Sequence, residues 1–382
     1  MTTDEILDYE WPYLLTFLPN EDALERTARA CGAITRKRHI SQASTLLRLA
    51  FVYSCCGMSL RQTAAWAEER QVAQLSDVAV LKRLRAAAEW LESLLAIKLA
   101  ERAAPPDVPA QVARLRLVDA TCISPPGASK EFWRVHMSID LARLTINHIE
   151  LTSRAGGESL RRVPTTPGEI VLADRGYARR PGLEALVRTG ANFLVRIPWQ
   201  PIPLRHRDGS PFDLFAFLRG LEDAHPGDLA LEMPASTPHG TAMPVRLLAL
   251  RKTEQAAAQS RTTLLADASK RGGRLDPRSL EAAGYFLALT SVTSEILSAQ
   301  QAADLYRYRW QIELAFKRLK SLQHLDVLNA KNPELARTTI AAKLLAAMVL
   351  EDLTQDFLDF SPWGYRCRTT KSLPLAHPED PD

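Results

Sequence analysis

The chain has 382 residues, of which 46% are hydrophobic, and its formal net charge is +4. This length and composition are sufficient for a buried core and for more than one domain. The apolar runs are far shorter than the ~20 residues that span a bilayer, and the acidic first residues, MTTDEILDYE, are unlike the basic start of a signal peptide. Five cysteines without a C-x-x-C pair exclude a disulfide framework and the usual zinc spacing. We therefore predict a cytoplasmic globular protein with no membrane association.

Positive charge is concentrated in three separate blocks. Residues 21–100 contain 12 Lys and Arg against 8 Asp and Glu, residues 154–219 contain 11 against 6, and residues 300–345 contain 8 against 4. A fold can bring such blocks onto one face, and this suits a long phosphate backbone better than a small metabolite. The distribution of charge therefore favours DNA as a partner.

The first region, residues 1–104, is predicted to be helical, because apolar residues recur at helical spacing through most of it. Segments 59–70 and 76–95 have a helix-turn-helix layout, and each begins at a serine that can cap a helix, Ser59 and Ser76. Two interpretations stay open for this region, a DNA-binding helix-turn-helix and an ordinary helical bundle.

An α/β core that is ribonuclease H-like in outline is predicted from residue 110, after a linker marked by Pro105, Pro106 and Pro109. Apolar residues now alternate with polar ones, which predicts three strands of an antiparallel meander. The unbroken apolar run that follows suits a strand buried on both faces. The predicted elements of the region 110–197 are strands 114–120, 133–140, 145–152 and 170–173, a helix at 181–189 and a strand at 192–197.

Residues 198–290 are predicted to be a β-rich insertion into this core. Its strands are DLALEM, PVRLLAL and YFLALTS, and the polar segment 252–274 between the last two is predicted to be mobile. The core is completed by residues 291–360, where Ser298 and Gln301 have the spacing of a capping box. One helix is predicted to start there and to continue through residue 320.

That helix carries a narrow polar stripe. Placed at about 100° per residue, its members fall within ~60° of one another; they are Tyr306, Arg309, Glu313 and Lys320. A neighbouring apolar stripe would dock the helix onto the sheet and bring the polar stripe to the rim of the core. A lone carboxylate is therefore held beside two cations and a phenol.

Two further carboxylates follow apolar strand segments. Asp119 is predicted to close the first core strand, and Asp174 follows the buried strand 170–173. Together with Glu313 they offer the oxygen ligands that Mg²⁺ or Mn²⁺ prefers. Three converging acids are sufficient to hold two ions ~4 Å apart, one activating a nucleophile and one stabilising the leaving oxygen.

At this point the chain resembles the DDE transposases of the insertion sequence 4 type, whose signature is Y-x2-R-x3-E-x6-K. The match at 306–320 is unbroken, DRGY at 174–177 resembles the second acidic block of the family, and VDATCIS at 118–124 resembles the first. The resemblance implies a bacterial mobile-element enzyme that binds terminal inverted repeats and target DNA, pairs two ends as a homodimer, and catalyses strand cleavage and transfer with two metal ions.

The resemblance also implies roles for individual residues. Three acids would be catalytic metal ligands, namely Asp119, Asp174 and Glu313, and the residues expected to contact DNA are Tyr306, Arg309, Lys320, Arg175, Tyr177 and Trp310. For Trp310, stacking on a base and packing on the core are both open.

Two alternatives to an active transposase stay open at this stage, a ribonuclease H-like nuclease without strand transfer and an inactive derivative that only binds DNA. Residues 361–382 lack periodicity, and relatives usually continue there with further helices. This tail is predicted to be disordered or truncated, which leaves the activity of this copy open on sequence grounds.

Overall fold

A computed structural model describes most of the chain. The described residues are 3–35, 40, 42–102, 115–124, 133–140, 145–153, 155–200, 202–221, 225–238, 240–270, 272, 275–328, 330 and 332–359. The predicted linker at 105–109 and the predicted tail at 361–382 lie outside these residues. The chain divides into two compact units, one of Met1–Leu94 with Arg337–Asp382 and one of Leu95–Ala336.

Helices and strands follow one another along the described chain. The helices are α1 (Thr3–Tyr9), α2 (Trp11–Leu15), α3 (Glu21–Ala30), α4 (Ala43–Cys55), α5 (Leu60–Glu69), α6 (Asp77–Ala86), α7 (Ala88–Arg102), α8 (Arg180–Arg188), α9 (Leu214–Arg219), α10 (Glu254–Lys270), α11 (Pro277–Ala282), α12 (Ala299–Arg307), α13 (Trp310–Gln323) and α14 (Pro333–Asp359). The strands are β1 (Leu115–Ile123), β2 (Trp133–Asp140), β3 (Thr145–Ser153), β4 (Ile170–Ala173), β5 (Asn192–Arg196), β6 (Gly227–Met233), β7 (Met243–Arg251) and β8 (Tyr285–Thr290). Within the described ranges, no helix combines the length and the apolar character needed to cross a membrane.

The first unit is helical, as predicted. Ser59 caps α5 in a reciprocal capping box with Gln62, and Ser76 caps α6 through the backbone N–H of Ala79. The predicted helix 76–95 is divided at Ala87 into α6 and α7. Both predicted N-caps are therefore confirmed, whereas the second helix is shorter than the periodicity indicates.

Helix α14 shows why the chain from Arg337 onward groups with the N-terminal helices. Arg337 Nε donates to Glu92 Oε1 at 2.9 Å, and Thr338 Oγ1 donates to Leu84 O at 2.6 Å with both groups buried. By compactness, the chain from Arg337 groups with the first unit, and the assignment of 291–360 to the completion of the core stays a prediction.

The second unit is built on one mixed sheet of eight strands in the order β3-β2-β1-β4-β5-β8-β7-β6. Strands β1, β2 and β3 form the predicted antiparallel meander, and β4 and β5 run parallel to β1. All four residues of β4 are buried, which confirms the interpretation of the apolar run Ile170–Ala173. Helix α8 packs beside β5 over a buried apolar cluster that includes Val171 and Phe193.

A buried ion pair ties β1 to the segment that leads into β4. Arg116 Nη2 lies 2.8 Å from Glu169 Oε1, and both side chains are almost fully buried. Arg116 Nη1 also donates to Ser138 Oγ at 3.1 Å. The pair joins the starts of the adjacent parallel strands β1 and β4. It therefore supports the register in which the residues at the opposite ends of the β1–β4 pairing lie side by side.

The β-rich segment 198–290 is not a separate sheet. Strand β8 pairs antiparallel with β5, with Leu194 opposite Thr290, and β7 and β6 continue the same sheet outward. The predicted mobile segment 252–274 contains helix α10, of which Ala257 is the buried member. Its Ala, Gln and Leu residues favour helix formation without supplying an apolar stripe, so polarity was a poor guide to its structure.

Candidate functional site

The two aspartates lie side by side at one edge of the sheet. The parallel pairing of β1 with β4 ends at Val118 opposite Ala173. Asp119 directly follows Val118, and Asp174 directly follows Ala173. Contrary to the prediction, Asp119 does not close β1, because the strand continues to Ile123 in antiparallel pairing with β2. Asp119 instead follows the last residue of β1 that pairs with β4.

Each aspartate is oriented by the backbone that follows it. Asp119 Oδ1 accepts a hydrogen bond from the N–H of Ala120 at 2.8 Å. Asp174 caps a short 3-10 helix, Arg175–Tyr177, and its Oδ1 accepts from the N–H of Gly176 at 2.8 Å. These bonds restrain the carboxylates before any ligand is present.

The charges of the other two acids act on Asp119. The pKa of Asp119 is raised to about 6, mainly by burial and also by the charges of Asp174 and Glu313, whereas the Ala120 N–H and Arg309 favour the ionised form. Like-charged groups that repel in this way are a recurrent feature of active sites. A divalent cation among them would remove the repulsion.

The helix that was predicted to run from Ser298 through residue 320 is interrupted within the motif 306–320. Instead of one helix from Ser298, α12 ends at Arg307 and α13 begins at Trp310. The backbone between them makes short-range bonds, Arg309 N to Tyr306 O at 3.1 Å and Ile312 N to Arg309 O at 3.3 Å. The predicted capping box of Ser298 with Gln301 is confirmed, and α13 packs against β1.

Tyr306 connects this turn to the end of β4. Its side chain is 9% exposed, its hydroxyl donates to Ala173 O at 3.3 Å, and its ring lies 5.1 Å from that of Phe286. The Arg309 guanidinium lies over the same ring, 5.9 Å from its centroid. Tyr306 therefore supports the residue before Asp174 and the position of Arg309, rather than presenting an exposed phenol.

Glu313 is paired with Arg309 in the structure. Its side chain is 54% exposed, compared with 17% for that of Arg309. Among the described residues, no three His, Cys, Asp or Glu side chains are grouped closely enough to hold a metal ion. The three acids are thus brought to one region without forming a complete coordination shell.

An open pocket of about 520 Å³ joins the acids to the basic end of the motif. Its lining residues are Asp119, Ala120, Thr121, Glu313, Phe316, Lys317, Lys320, Ser321 and Asp326. Lys320, predicted from the signature, is half-buried here, and the exposed Lys317 adds a second ammonium group. The pocket combines carboxylates for a cation with lysines for an anion.

A group of arginines lies near Asp174. Val195 of β5 pairs with Ala173, so Arg196 is the neighbour of Asp174 across the parallel strands. Burial lowers the pKa of Arg196, and the nearby positive charges of Arg175 and Arg309 lower it further. Sequence reasoning missed Arg196; the signal for it was its position at the end of a predicted core strand.

The remaining predicted residues differ in accessibility. Arg175 is exposed and Trp310 is 50% exposed, so Trp310 does not pack in the core. Tyr177, predicted as a DNA contact, is 1% exposed because its ring belongs to the apolar cluster beside α8. It is therefore not exposed at the surface; burial raises the pKa of its phenol, and the charge of Asp119 raises it further.

Comparisons with known proteins identify the relatives of this chain. A family model described as transposase DDE domain matches residues 111–349. The chain is 44% identical over 355 residues to the putative transposase InsL for insertion sequence element IS186A of Escherichia coli K12, covering 92% of this chain and 96% of that protein. It is 44% identical over 356 residues to the transposase for insertion sequence element IS421 of Escherichia coli, with the same coverage. The transposase for IS231C of Bacillus thuringiensis subsp. berliner is 23% identical over 198 residues, covering 48% of this chain and 41% of that protein.

Proposed function

Because the chain belongs to the DDE transposases, the polynucleotidyl transferases of bacterial insertion sequences, we propose that Asp119, Asp174 and Glu313 are its catalytic carboxylates. The observation that supports this assignment is the register of the sheet. It brings Asp119 and Asp174 to adjacent strand positions, and Glu313 lines the same pocket as Asp119. The family also implies a ribonuclease H-like core, for which β3-β2-β1-β4-β5 are the corresponding strands.

The donor set fits Mg²⁺ or Mn²⁺. All three proposed ligands offer carboxylate oxygens, and the raised pKa of Asp119 reflects burial among negative charges that a cation would compensate. When bound, two such ions supply an activated nucleophile and stabilise the leaving oxygen. Glu313 pairs with Arg309 in the structure, so its carboxylate becomes available when Arg309 binds another anion. A DNA phosphate entering beside the acids is such an anion.

The cations around the acids are proposed to grip the DNA strand at the reacting bond. The charges of Arg309, Arg196 and Arg175 act on one another, and Lys320 lines the pocket that contains Asp119 and Glu313. Fixed positive charges around a scissile phosphate would orient it for in-line attack and balance its developing charge. Trp310 is exposed beside Arg309 and is suited to stack on a base.

The helical unit is proposed to recognise the terminal inverted repeats. Helices α5 and α6 contact each other and have the predicted capped layout, and α6 presents the exposed cations Lys82 and Arg85. Phosphate contacts would position this element while side chains on α6 contact base edges. Pairing of two ends by a homodimer, and joining to target DNA, complete the proposed reaction.

Substitution of Glu313 by Gln tests the catalytic assignment. The change preserves size but removes the charge that a metal ligand needs, so strand cleavage in Mg²⁺ should fall by about 10³-fold or more while binding to a duplex of the element's end stays near normal. Glu281→Gln is the matched control, because Glu281 also pairs with an arginine, Arg219, at a distance of 2.8 Å. A folded Glu313→Gln protein that cleaves at the parental rate would refute the assignment.

The same assay separates transposition from simple nuclease action. A transposase should also convert a pre-cleaved end with a free 3′-hydroxyl into a product joined to a second duplex. Cleavage without any joined product, at DNA concentrations that saturate binding, would favour the ribonuclease H-like nuclease instead.

A further inference from the structure

A fourth carboxylate lies beside the proposed centre. Glu158 is half-buried in the segment between β3 and β4, and its side chain lies against Gly176 in the turn after Asp174. A Cβ added to Gly176 would overlap Glu158 Oε2 and would lie 3.1 Å from Asp174 Oδ1. The two carboxylates therefore flank the same point. Gly176 does not have a positive φ, so its small size matters here rather than its conformational freedom.

Tyr177 is an independent sign of a ligand at this point. Its side chain is 1% exposed, and its hydroxyl has no hydrogen-bond partner among the described residues. Burial raises the pKa of this phenol, and the charges of Asp119, Glu158 and Asp174 raise it further, so the hydroxyl stays protonated. Tyr177 directly follows Gly176 in the turn after Asp174. A buried hydroxyl without a partner is costly, and a bound water or ion is one way in which such a group is satisfied.

Positive charges near Glu158 stabilise its ionised form. Arg134 Nη1 donates to the carbonyl of Gly156 at 3.3 Å, which places its guanidinium beside the Glu158 segment. Burial and the charge of Asp174 raise the pKa of Glu158, whereas Arg134 and Arg179 favour its ionised form. The charges of these two arginines thus partly offset the repulsion between Glu158 and Asp174.

We propose that Glu158 is an additional carboxylate of the catalytic centre that, together with the Tyr177 hydroxyl, hydrogen-bonds the water shell of a divalent cation held by Asp174. Mg²⁺ keeps several of its waters in protein sites, and groups that orient such a shell control affinity. The role is one of positioning, and it rests on the metal site of the proposed function.

Direct binding of Mn²⁺ tests this inference without relying on activity. The full-length protein, alone and with a duplex of the element's end, is titrated with Mn²⁺ and the free ion is measured by electron paramagnetic resonance. Glu158→Gln should weaken Mn²⁺ binding by about 10- to 100-fold, and Tyr177→Phe by a smaller factor, at unchanged melting temperature. The matched control is Glu150→Gln, because Glu150 pairs with Arg162 at 2.5 Å instead of facing the acids. Its Mn²⁺ affinity should remain parental.

Two further variants keep the test decisive. Glu158→Asp retains the charge on a shorter side chain and should bind Mn²⁺ with intermediate affinity, which a purely structural role does not predict. Gly176→Ala leaves Glu158 itself unchanged but should displace its carboxylate, because the added methyl group would overlap it. This variant should also bind Mn²⁺ more weakly.

The double variant Asp119→Asn with Asp174→Asn distinguishes the possible failures. If it loses Mn²⁺ while Glu158→Gln keeps parental affinity, the role of Glu158 is wrong and the proposed function stands. If the double variant also keeps parental affinity, or if the parent binds no Mn²⁺ in either state, the proposed metal site is wrong as well.

Discussion

Asp119→Asn should stabilise the metal-free fold at alkaline pH. The folded protein holds this carboxyl at a pKa of about 6, against an ordinary value of 3.8, because it is buried near Asp174 and Glu313. The folded state therefore binds the proton more tightly than the unfolded chain does. The free energy of unfolding accordingly decreases as pH rises from 3.8 to about 6 and stays lowered above that range.

The size of the effect follows from the difference between the two pKa values. Each tenfold change in the dissociation constant is worth about 1.4 kcal/mol, so ionised Asp119 costs the fold at most about 3 kcal/mol at pH 8. Partial exposure of the side chain reduces this to roughly 1 to 3 kcal/mol. The asparagine side chain of the variant carries no charge, and its amide oxygen can still accept the hydrogen bond from Ala120 that Asp119 accepts at 2.8 Å.

Urea unfolding followed by circular dichroism, in EDTA between pH 4 and pH 8, measures this difference. The variant should be more stable than the parent at pH 8, and the advantage should disappear near pH 4. Asp228→Asn should do the opposite at pH 8, because Asp228 pairs with the buried Arg246. Mg²⁺ should stabilise the parent more than Asp119→Asn. A variant no more stable than the parent at pH 8 would contradict the electrostatic account of the site.

Two other predictions concern DNA affinity and the stability contributed by a buried ion pair. Arg196→Ala should weaken binding to the element's end and reduce the slope of log K against log salt by up to about 0.9, the value for one lost phosphate contact. The control Arg188→Ala removes an exposed arginine of α8 and should leave the slope unchanged. Equal slopes for the two variants would exclude the Arg196 contact. Glu169→Ala should lower the free energy of unfolding by about 3 to 5 kcal/mol, because Arg116 would be left buried and unpaired; a loss below about 1 kcal/mol in urea unfolding would contradict that.

The sequence was sufficient where the signal is local. Alternation of apolar and polar side chains predicted β2 at Trp133–Asp140, and the unbroken apolar run predicted β4. Side-chain caps at Ser59, Ser76 and Ser298 were confirmed because a cap depends on residues three positions apart. The family was evident from one spacing, 306–320, since four residue types at fixed separations seldom coincide by chance.

The sequence was insufficient where a residue's role depends on distant neighbours. The segment 198–290 has strands whether or not it forms its own sheet, and only the pairing of β8 with the open edge of β5 shows that it extends the core. Similarly, the helical period continues through Tyr308 and Arg309, although shorter-range hydrogen bonds such as Arg309 N to Tyr306 O interrupt the α-helix there. Periodicity records which faces are apolar, but it does not record which element covers them.

The composition of the site shows the same division. Sequence alone indicated Asp119, Asp174 and Glu313 as the candidate catalytic acids. Only the tertiary structure brought Arg196 and Glu158 to them, because strand register and a turn at Gly176 create those neighbours from residues far apart in the chain. It also placed Tyr177 in the interior, since a tyrosine's exposure depends on the surface that packs against it. Side-chain chemistry is a local property of the sequence, whereas proximity, burial and charge interactions arise only when the whole chain has folded.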